Sequence, residues 1–534
     1  MAKRLYEHFS EDIDFSPYEY IIIGSGIGGL TCAIFLAKAG KRVLVLERHY
    51  IPGGFLHTFR RKKGLEWDVG VHYVGDMDNH SPIRHIFNYI TNNQQQWADV
   101  GDVYDTAYFG NDEYHFVKGL DNLKLELKTK FPSEQPAIDA YFDLVKKVNH
   151  YSVLFLAMKA SPWLIRNTFG IYITKKFKHF ASQTTYDVLS ALTNNEKLKS
   201  VLCAQCGDYG LTPKQSSFSA HAMVTNHFTN GANYPVGGAD KIYKNLIDVL
   251  YQNGGKVLVK ADVSEIVVKK NTVQGVIVND KFIECKKVIS NAGARNTYQH
   301  LLKNHPTSAL KTIQNIKPSH SHLCLYIGLD ASAEALNLPK NNIWFYNSYD
   351  MDASLDKAIN PTSPDIEFAY ISFPSAKDSD WDIHHKNTAT IQAITVSNIE
   401  LFSEFKDQAW LKRDEKYTAM KEQFTEKMLR KLYEYFPQIE GHVIHTEVST
   451  PLSTQHFMNY ESGEIYGLEH SPERFMLNDL SATTSIKGLY LTGQDITLVG
   501  VVSAMMSGVI TAINILKWRV FYNFKDMSQN HRGN

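Results

Sequence analysis

A group of glycines and one carboxylate near the N-terminus have the spacing of a nucleotide site. Gly24, Gly26 and Gly29 form a G-x-G-x-x-G, with Ile27 and Gly28 in its variable positions. The motif follows the apolar run 20–23 and opens a helix-like run that ends at Gly40, the setting in which such a turn binds a dinucleotide. Gly24 permits the tight turn, Gly26 lets a pyrophosphate approach the backbone, and Gly29 lets helix and strand pack closely. The helix start offers free N–H groups and a positive dipole end to phosphates. Glu47, eighteen residues past Gly29, ends the next apolar run. A carboxylate there can accept both ribose hydroxyls of an adenosine and disfavours a 2′-phosphate, so FAD or NAD is expected rather than NADP. Arg48 follows it, then the glycine pair Gly53 and Gly54.

The elements around these residues form a pattern. Strand, glycine turn, helix and strand within about 30 residues make a βαβ unit, and the near-continuous apolar strands fit a parallel sheet buried on both faces. The spacing predicts helices over 137–160, 186–202 and, amphipathic and charged, 412–436. Between 76 and 219 the pattern is mainly helical. The β-branched runs 257–259, 263–268, 273–278 and 288–289 read as strands separated by short polar turns,. More strands are predicted at 323–329, 342–346, 366–373 and 390–396. A last strand runs into Gly493 and Asp495, followed by the uncharged stretch 496–516. That stretch is long enough to span a bilayer. An acid and a strand immediately before it favour a helix buried in protein instead.

These residues resemble a known family, the FAD-dependent phytoene desaturases, carotenoid isomerases and retinol saturases, with the retinol-saturase branch the most similar. The resemblance is carried by the runs 21–59, 65–77 (LEWDVGVHYVGDM), 207–228 (GDYGLTPKQSSFSAHAMVTNHF), 233–242 (NYPVGGADKI) and 488–496 (GLYLTGQDI). It implies an α/β protein with a discontinuous Rossmann-like FAD-binding domain of the amine-oxidase and phytoene-desaturase type and an inserted mixed sheet-plus-helix substrate domain. FAD-binding parts are expected at 18–78, 233–294 and 446–520, and substrate parts at 79–232 and 295–445. The resemblance implies that Gly53 and Gly54 run close to the flavin, that Val263 lends backbone contacts to adenine, and that Asp495 contacts the ribityl chain. Gly493, Gly500 and Val501 complete the second signature. The first turn of the helix after Asp495 would point N–H groups at the flavin, stabilising negative charge on the reduced ring. The implied chemistry is saturation of a carbon–carbon double bond in an apolar polyene, isoprenoid or long lipid, with desaturation or isomerisation as the alternatives within the family. An amine-oxidase-like enzyme with a polar substrate and a non-enzymatic carotenoid-binding flavoprotein are the readings outside it. Saturation needs a proton source beside the hydride. His72 and Tyr73 are the first candidates, because their segment approaches the flavin in the family. His57 is another, and His221, His227 and Tyr234 lie in the most family-specific stretch. No second G-x-G-x-x-G occurs, so electrons are expected to come from a transiently bound NAD(P)H, a quinone, oxygen or another redox carrier.

Composition sets the limits. A chain of 534 residues, 43% hydrophobic and 21% charged, is globular and long enough for several domains,. Lys plus Arg and Asp plus Glu are both 56, so there is no basic excess to hold nucleic acid,. Five cysteines, an odd number, do not form a disulfide framework and fit a reducing compartment,. Cys203 and Cys206 form a lone C-x-x-C, and no metal set is expected. The first twenty residues lack the apolar core of a secretory leader,. The acid-free run 151–180 mixes Leu, Phe, Trp and Ile with Lys175, Lys176 and Lys178. Such a run can lie in a membrane interface, so a cytoplasmic, peripherally membrane-associated protein is expected. The basic run 60–63 reads as a solvated hairpin turn.

Overall fold

The computed structural model describes residues 5–359, 363, 365–517 and 520. Positions 1–4, at the start of the stretch read for a leader, lie outside the described residues, as do 360–362 and 364, in segment 295–445, and 518–519, in segment 446–520.

A six-stranded parallel sheet is assembled from distant stretches of chain. Its elements are β1 (Glu7–His8), β2 (Tyr20–Ile23), α1 (Ile27–Lys38), β3 (Val43–Glu47), β4 (Lys256–Val259), β5 (Val288–Ser290), β6 (Leu489–Leu491) and α2 (Val501–Leu516). The strand order is β1-β4-β3-β2-β5-β6, and every neighbouring pair is parallel. Side-chain alternation divides the core. Tyr20, Ile22, Val43 and Val45 pack against α1, α2 and the helix Asp240–Gln252. Ile21, Ile23, Leu44 and Leu46 pack against a three-stranded antiparallel layer that includes Val263–Lys269 and Thr272–Val278. Both faces are covered, which is why β2 and β3 carry no polar alternation.

A second, seven-stranded sheet takes the strands Val443–Ser449, Ser321–Leu329, Ala389–Ser397, Phe368–Ser372, Asn342–Tyr346, Val103–Phe109 and Asp112–Val117, in that order. Every pairing is antiparallel except that of Asn342–Tyr346 with Val103–Phe109. The two strands at 103–117 correct the mainly helical reading of that region. Asp105 and Thr106 hide the strand in the sequence, yet both are buried. The predicted helix over 186–202 is two helices, Thr185–Ser190 and Glu196–Leu202. The Asn195 side chain accepts from the Leu198 N–H and starts the second one, an N-cap that periodicity overlooks. The helix predicted over 412–436 spans Glu415–Tyr435. Residues 61–65 close a hairpin between Thr58–Arg60 and Glu66–Asp68, as the basic run implied.

Among the described residues no helix is long and apolar enough to cross a membrane. The uncharged stretch is not helical from its start. A short 3₁₀ turn, Gln494–Ile496, comes first, and α2 starts at Val501. Its Gly508 lies against α1, where an added Cβ would come 2.4 Å from the Gly28 carbonyl oxygen.

Candidate functional site

One long cleft runs from the β2–α1 turn to the seven-stranded sheet. At its first end the backbone is bare. Gly24 has φ +93°, a left-handed conformation that favours glycine,. The N-cap of α1 is Gly26, which brings no side chain to the first-turn N–H groups. Those of Ile27 and Gly28 therefore stay open at the cleft wall, at the positive end of α1,. A Cβ on Gly54 would lie 3.3 Å from the Gly26 Cα, so the two turns touch. Gly53, with φ +111°, lies against the Tyr243 ring at a distance that leaves no space for a side chain.

Glu47 is buried at the end of β3. Its Oε2 accepts from the Ser25 N–H at 2.9 Å and from Ser25 Oγ at 2.6 Å, and its Oε1 accepts from the His49 N–H at 2.8 Å. Ser25 Oγ also accepts from the Gly53 N–H at 2.9 Å. One carboxylate thus fixes the glycine turn and, through Ser25, the glycine pair. A carboxylate has about four acceptor positions, so one remains for a ligand hydroxyl. Arg48 donates to the His456 carbonyl at 3.0 Å and, like Val263, lines the cleft.

The GQD segment closes the same wall. Asp495 is buried, and its oxygens accept from the Ala294 N–H at 2.7 Å and the Leu468 N–H at 3.0 Å. It clamps two loops together as well as lining the cleft. Gly493, with φ +101°, packs on Asn291, as do Gly24, Gly26 and Gly28. Gly500 caps α2 without a side chain, so the first-turn N–H groups of α2 also open on the cleft, beside Val501. Arg474, buried behind, donates to the carbonyls of Gln494 at 2.8 Å and Asp495 at 3.2 Å. Burial lowers its guanidinium to about 10.

The far end of the cleft is aromatic, with Trp344, Phe368, Tyr370 and Tyr466 beside Ile394 and Val396. His72 is on this wall, 5.3 Å from the Tyr370 ring, and burial with the nearby Lys377 ammonium lowers it to about 3. The ring nitrogens His72 Nδ1 and His322 Nδ1 are buried without a hydrogen-bond partner among the described residues. Tyr73 stands behind the wall. Its hydroxyl is 2.8 Å from Asp208 Oδ2 and 3.0 Å from Asp105 Oδ2. Asp208 is on the wall itself. His57 also lines the cleft, uses Nδ1 to donate to the Gly54 carbonyl at 2.5 Å, and is lowered to about 4 by burial.

Of the site residues chosen from sequence, Gly29, Tyr73, His221, His227 and Tyr234 do not line this cleft. Gly29 packs on the Gly24 carbonyl, as its motif position requires. The central candidates are elsewhere. His221 is held between the Tyr141 and Tyr209 hydroxyls, at 2.7 and 3.1 Å. His227 accepts from the Gly75 N–H and donates to Asp76, and Tyr234 donates to Asp68. Cys203 and Cys206 are buried, and burial pushes the Cys206 thiol up to about 12. Sequence reasoning missed Asn291, Asp208, Asp105 and Lys377. Asp208 lies in the run 207–228 that carries the resemblance, and Asn291 follows the strand read at 288–289, but neither is a histidine or tyrosine, the residue types expected to supply a proton.

The cleft suits a flavin nucleotide: two uncapped helix N-termini, a buried carboxylate with a spare acceptor position, and glycine walls that side chains would fill. The family model for flavin-containing amine oxidoreductases matches residues 27–516. The chain belongs to that family. It is 36% identical to an all-trans-retinol 13,14-reductase of Danio rerio over 95% of this chain and 86% of that protein. It is 26% identical to prolycopene isomerase 1, chloroplastic, of an Oncidium hybrid cultivar, over 93% and 83%. The fold matches cyclohexylamine oxidase from Brevibacterium oxydans with a TM-score of 0.60 at 12% identity, covering 96% of this chain and all of that one. The α/β flavoprotein fold and the resemblance to retinol saturases and carotenoid isomerases, both drawn from sequence, therefore hold, and the cofactor is a flavin.

Proposed function

We propose that this protein is an FAD-dependent oxidoreductase that adds hydrogen across a carbon–carbon double bond of an apolar polyene, a retinoid- or carotenoid-like isoprenoid or a long lipid. The observation that carries the reading is the continuity of the cleft: nucleotide-binding glycines at one end pass without a break into an aromatic, apolar chamber at the other. A dry apolar chamber with a few polar atoms is what an extended hydrocarbon needs for orientation. The relatives named as retinol reductases support the substrate class.

Glu47 would hold the adenosine ribose, the α1 N-terminus the pyrophosphate, Val263 the adenine, and Asp495 the ribityl chain. The α2 N-terminus would face the ring. Bound there, the flavin supplies hydride transfer. The chamber excludes water and holds the double bond, and His72, His57 and Tyr73 are the sequence-chosen proton sources. A transiently bound NAD(P)H or another carrier supplies the electrons. The exposed residues Trp163, Leu164, Phe169, Ile171 and Tyr172, with Lys175 and Lys176 nearby, form an apolar and basic face suited to peripheral membrane contact,.

The test is product analysis. The purified protein should carry flavin absorbance. After reduction without air, it should convert an all-trans polyene alcohol into a product heavier by one H₂. A flavin-free protein that takes up no FAD, or a polyene recovered unchanged, refutes the reading. Cis–trans isomerisation is the second reading, supported by the prolycopene isomerase relatives, and would give a product of unchanged mass.

A further inference from the structure

We propose that Asp208 is kept as a neutral carboxylic acid on the cleft wall and donates the proton to the substrate, with Tyr73 and Asp105 as its positioning pair. Counting hydrogens in the network leads there. Lys377, buried, points Nζ at three acceptors: the His72 carbonyl at 3.0 Å, Ser372 Oγ at 2.7 Å and Asn342 Oδ1. Burial lowers Lys377 to about 7, with the Asp105 and Asp68 charges acting against it; in its ammonium form Nζ has one hydrogen for each acceptor. This fixes the Asn342 amide with its Nδ2 toward Asp105 Oδ1, at 3.1 Å. Gln205 Nε2 donates to Asp105 Oδ2 at 2.6 Å. Amide NH₂ groups only donate, so Asp105 accepts on both oxygens, and these donors favour its ionised form over that of Asp208,. Tyr73 has a single proton and gives it to Asp105 at 3.0 Å. Its oxygen is also 2.8 Å from Asp208 Oδ2. Two acceptors cannot share that contact, so the proton in it belongs to Asp208.

The electrostatics agree. Burial and the Asp105 charge push Asp208 well above the usual carboxylate range. Burial raises Asp105 only to about 6, because Asn342, Gln205 and Tyr73 donate to it. Asp208 lines the cleft with Gly207, Trp344 and Tyr370, and its Oδ1 has no hydrogen-bond partner among the described residues. Gly207 brings it there: a Cβ at 207 would come 2.5 Å from the Trp344 ring. His72, lowered to about 3, is neutral at physiological pH and is the poorer acid,.

The inference rests on the polyene-reductase reading. Saturation breaks one C=C π bond and forms two C–H bonds. A hydride from the reduced flavin reaches one carbon and the Asp208 proton its neighbour. The alkene gains two electrons and the flavin loses two, restored by a carrier of the nicotinamide class. The carboxylate left on Asp208 regains its proton from water.

Infrared difference spectra of the holoprotein, wild type minus Asp208→Asn, test the acid without relying on turnover. A protonated-carboxyl C=O band should be present at neutral pH and vanish in the variant. Reduction of the flavin by dithionite should be unchanged in Asp208→Asn, and transfer to the polyene should slow by about 100-fold or more. No band lost in that variant, or wild-type transfer by it, overturns the proposal. Should Asp208→Asn not fold, Tyr73→Phe decides: without the phenol oxygen the band must shift to higher frequency, and an unshifted band overturns the proposal. A wild-type holoprotein that reduces no polyene would sink the reductase reading alone, and the infrared band would still decide the state of Asp208.

Discussion

Glu47→Gln keeps the shape of the side chain and exchanges one oxygen for an NH₂. The carboxylate accepts from the Ser25 N–H and hydroxyl on one oxygen and from the His49 N–H on the other. Whichever way the amide turns, its NH₂ faces a backbone N–H. One buried donor then loses its acceptor, at a cost of about 1–3 kcal/mol, which should appear as a lower thermal midpoint of the apoprotein. The position left for a ribose hydroxyl changes from a charged to a neutral acceptor. Hydrogen bonds to charged groups contribute about 1.5–3 kcal/mol against about 1 for neutral ones. FAD binding should therefore weaken by about 1–2 kcal/mol, roughly 5- to 30-fold. Titrating apoprotein with FAD and following quenching of the flavin fluorescence measures this directly. A dissociation constant within about twofold of wild type would show that Glu47 is a brace for the glycine turn and not a ribose ligand. Ser25→Ala is the control. It leaves the carboxylate and removes the hydroxyl that links Glu47 to Gly53, so it should loosen the glycine pair while retaining the ribose acceptor.

Two further outcomes are expected. Lys159 Nζ donates to the carbonyls of Leu480 at 2.8 Å and Ile496 at 2.6 Å, and burial lowers it from 10.5 to about 7. The unfolded chain holds a proton that the folded chain gives up, so this group makes stability rise with pH between about 7 and 10.5. Lys159→Met should take up to about 1.4 kcal/mol per pH unit off that slope in chemical denaturation series at pH 7, 8 and 9, and equal slopes would refute the assignment. At the apolar face, Trp163 is 68% and Phe169 76% exposed. Burying each in a bilayer is worth about 1.5–3 kcal/mol, so the double variant Trp163→Glu, Phe169→Glu should lose flotation with anionic phospholipid vesicles and keep its flavin, and undiminished flotation would remove this face as the membrane contact.

The sequence displayed the nucleotide half of the molecule well and the substrate half poorly, for a physical reason. Gly24, Gly26 and Glu47 are local: their spacing alone implies a turn, a helix start and a strand end. The network around Asp208 draws on residues 73, 105, 205, 208, 342 and 377, which no spacing connects. Its members also look wrong for their positions. Asp105 sits mid-strand and Lys377 ends the short helix Pro374–Lys377, yet both are buried. A one-dimensional reading takes such charges as solvated. Only their mutual satisfaction, visible in three dimensions, makes their burial tolerable. The same blindness turned the strand Val103–Phe109 into part of a helical region.

The stretch 496–516 illustrates the opposite case, a local signal with more than one cause. Its lack of charge comes from a helix crossing. Gly508 of α2 meets Gly28 of α1 with no space for a side chain between them, and a Cβ on Gly28 would come 2.9 Å from the Ala504 carbonyl oxygen. Two polar groups of α2 face inward to β6 and its end: Thr511 Oγ1 donates to the Leu491 carbonyl, and Ser507 Oγ accepts from the Gly493 N–H. A helix facing lipid would not need either contact, because it would have no sheet to grip. The crossing holds the uncapped N-termini of α1 and α2 on one cleft wall, so that a single extended ligand can lie across two positive helix ends. A bulky residue at 508, such as Gly508→Leu, would separate those ends. The composition that imitates a membrane span is thus set by how close the two helices must approach to bring two positive helix ends to one cleft wall,.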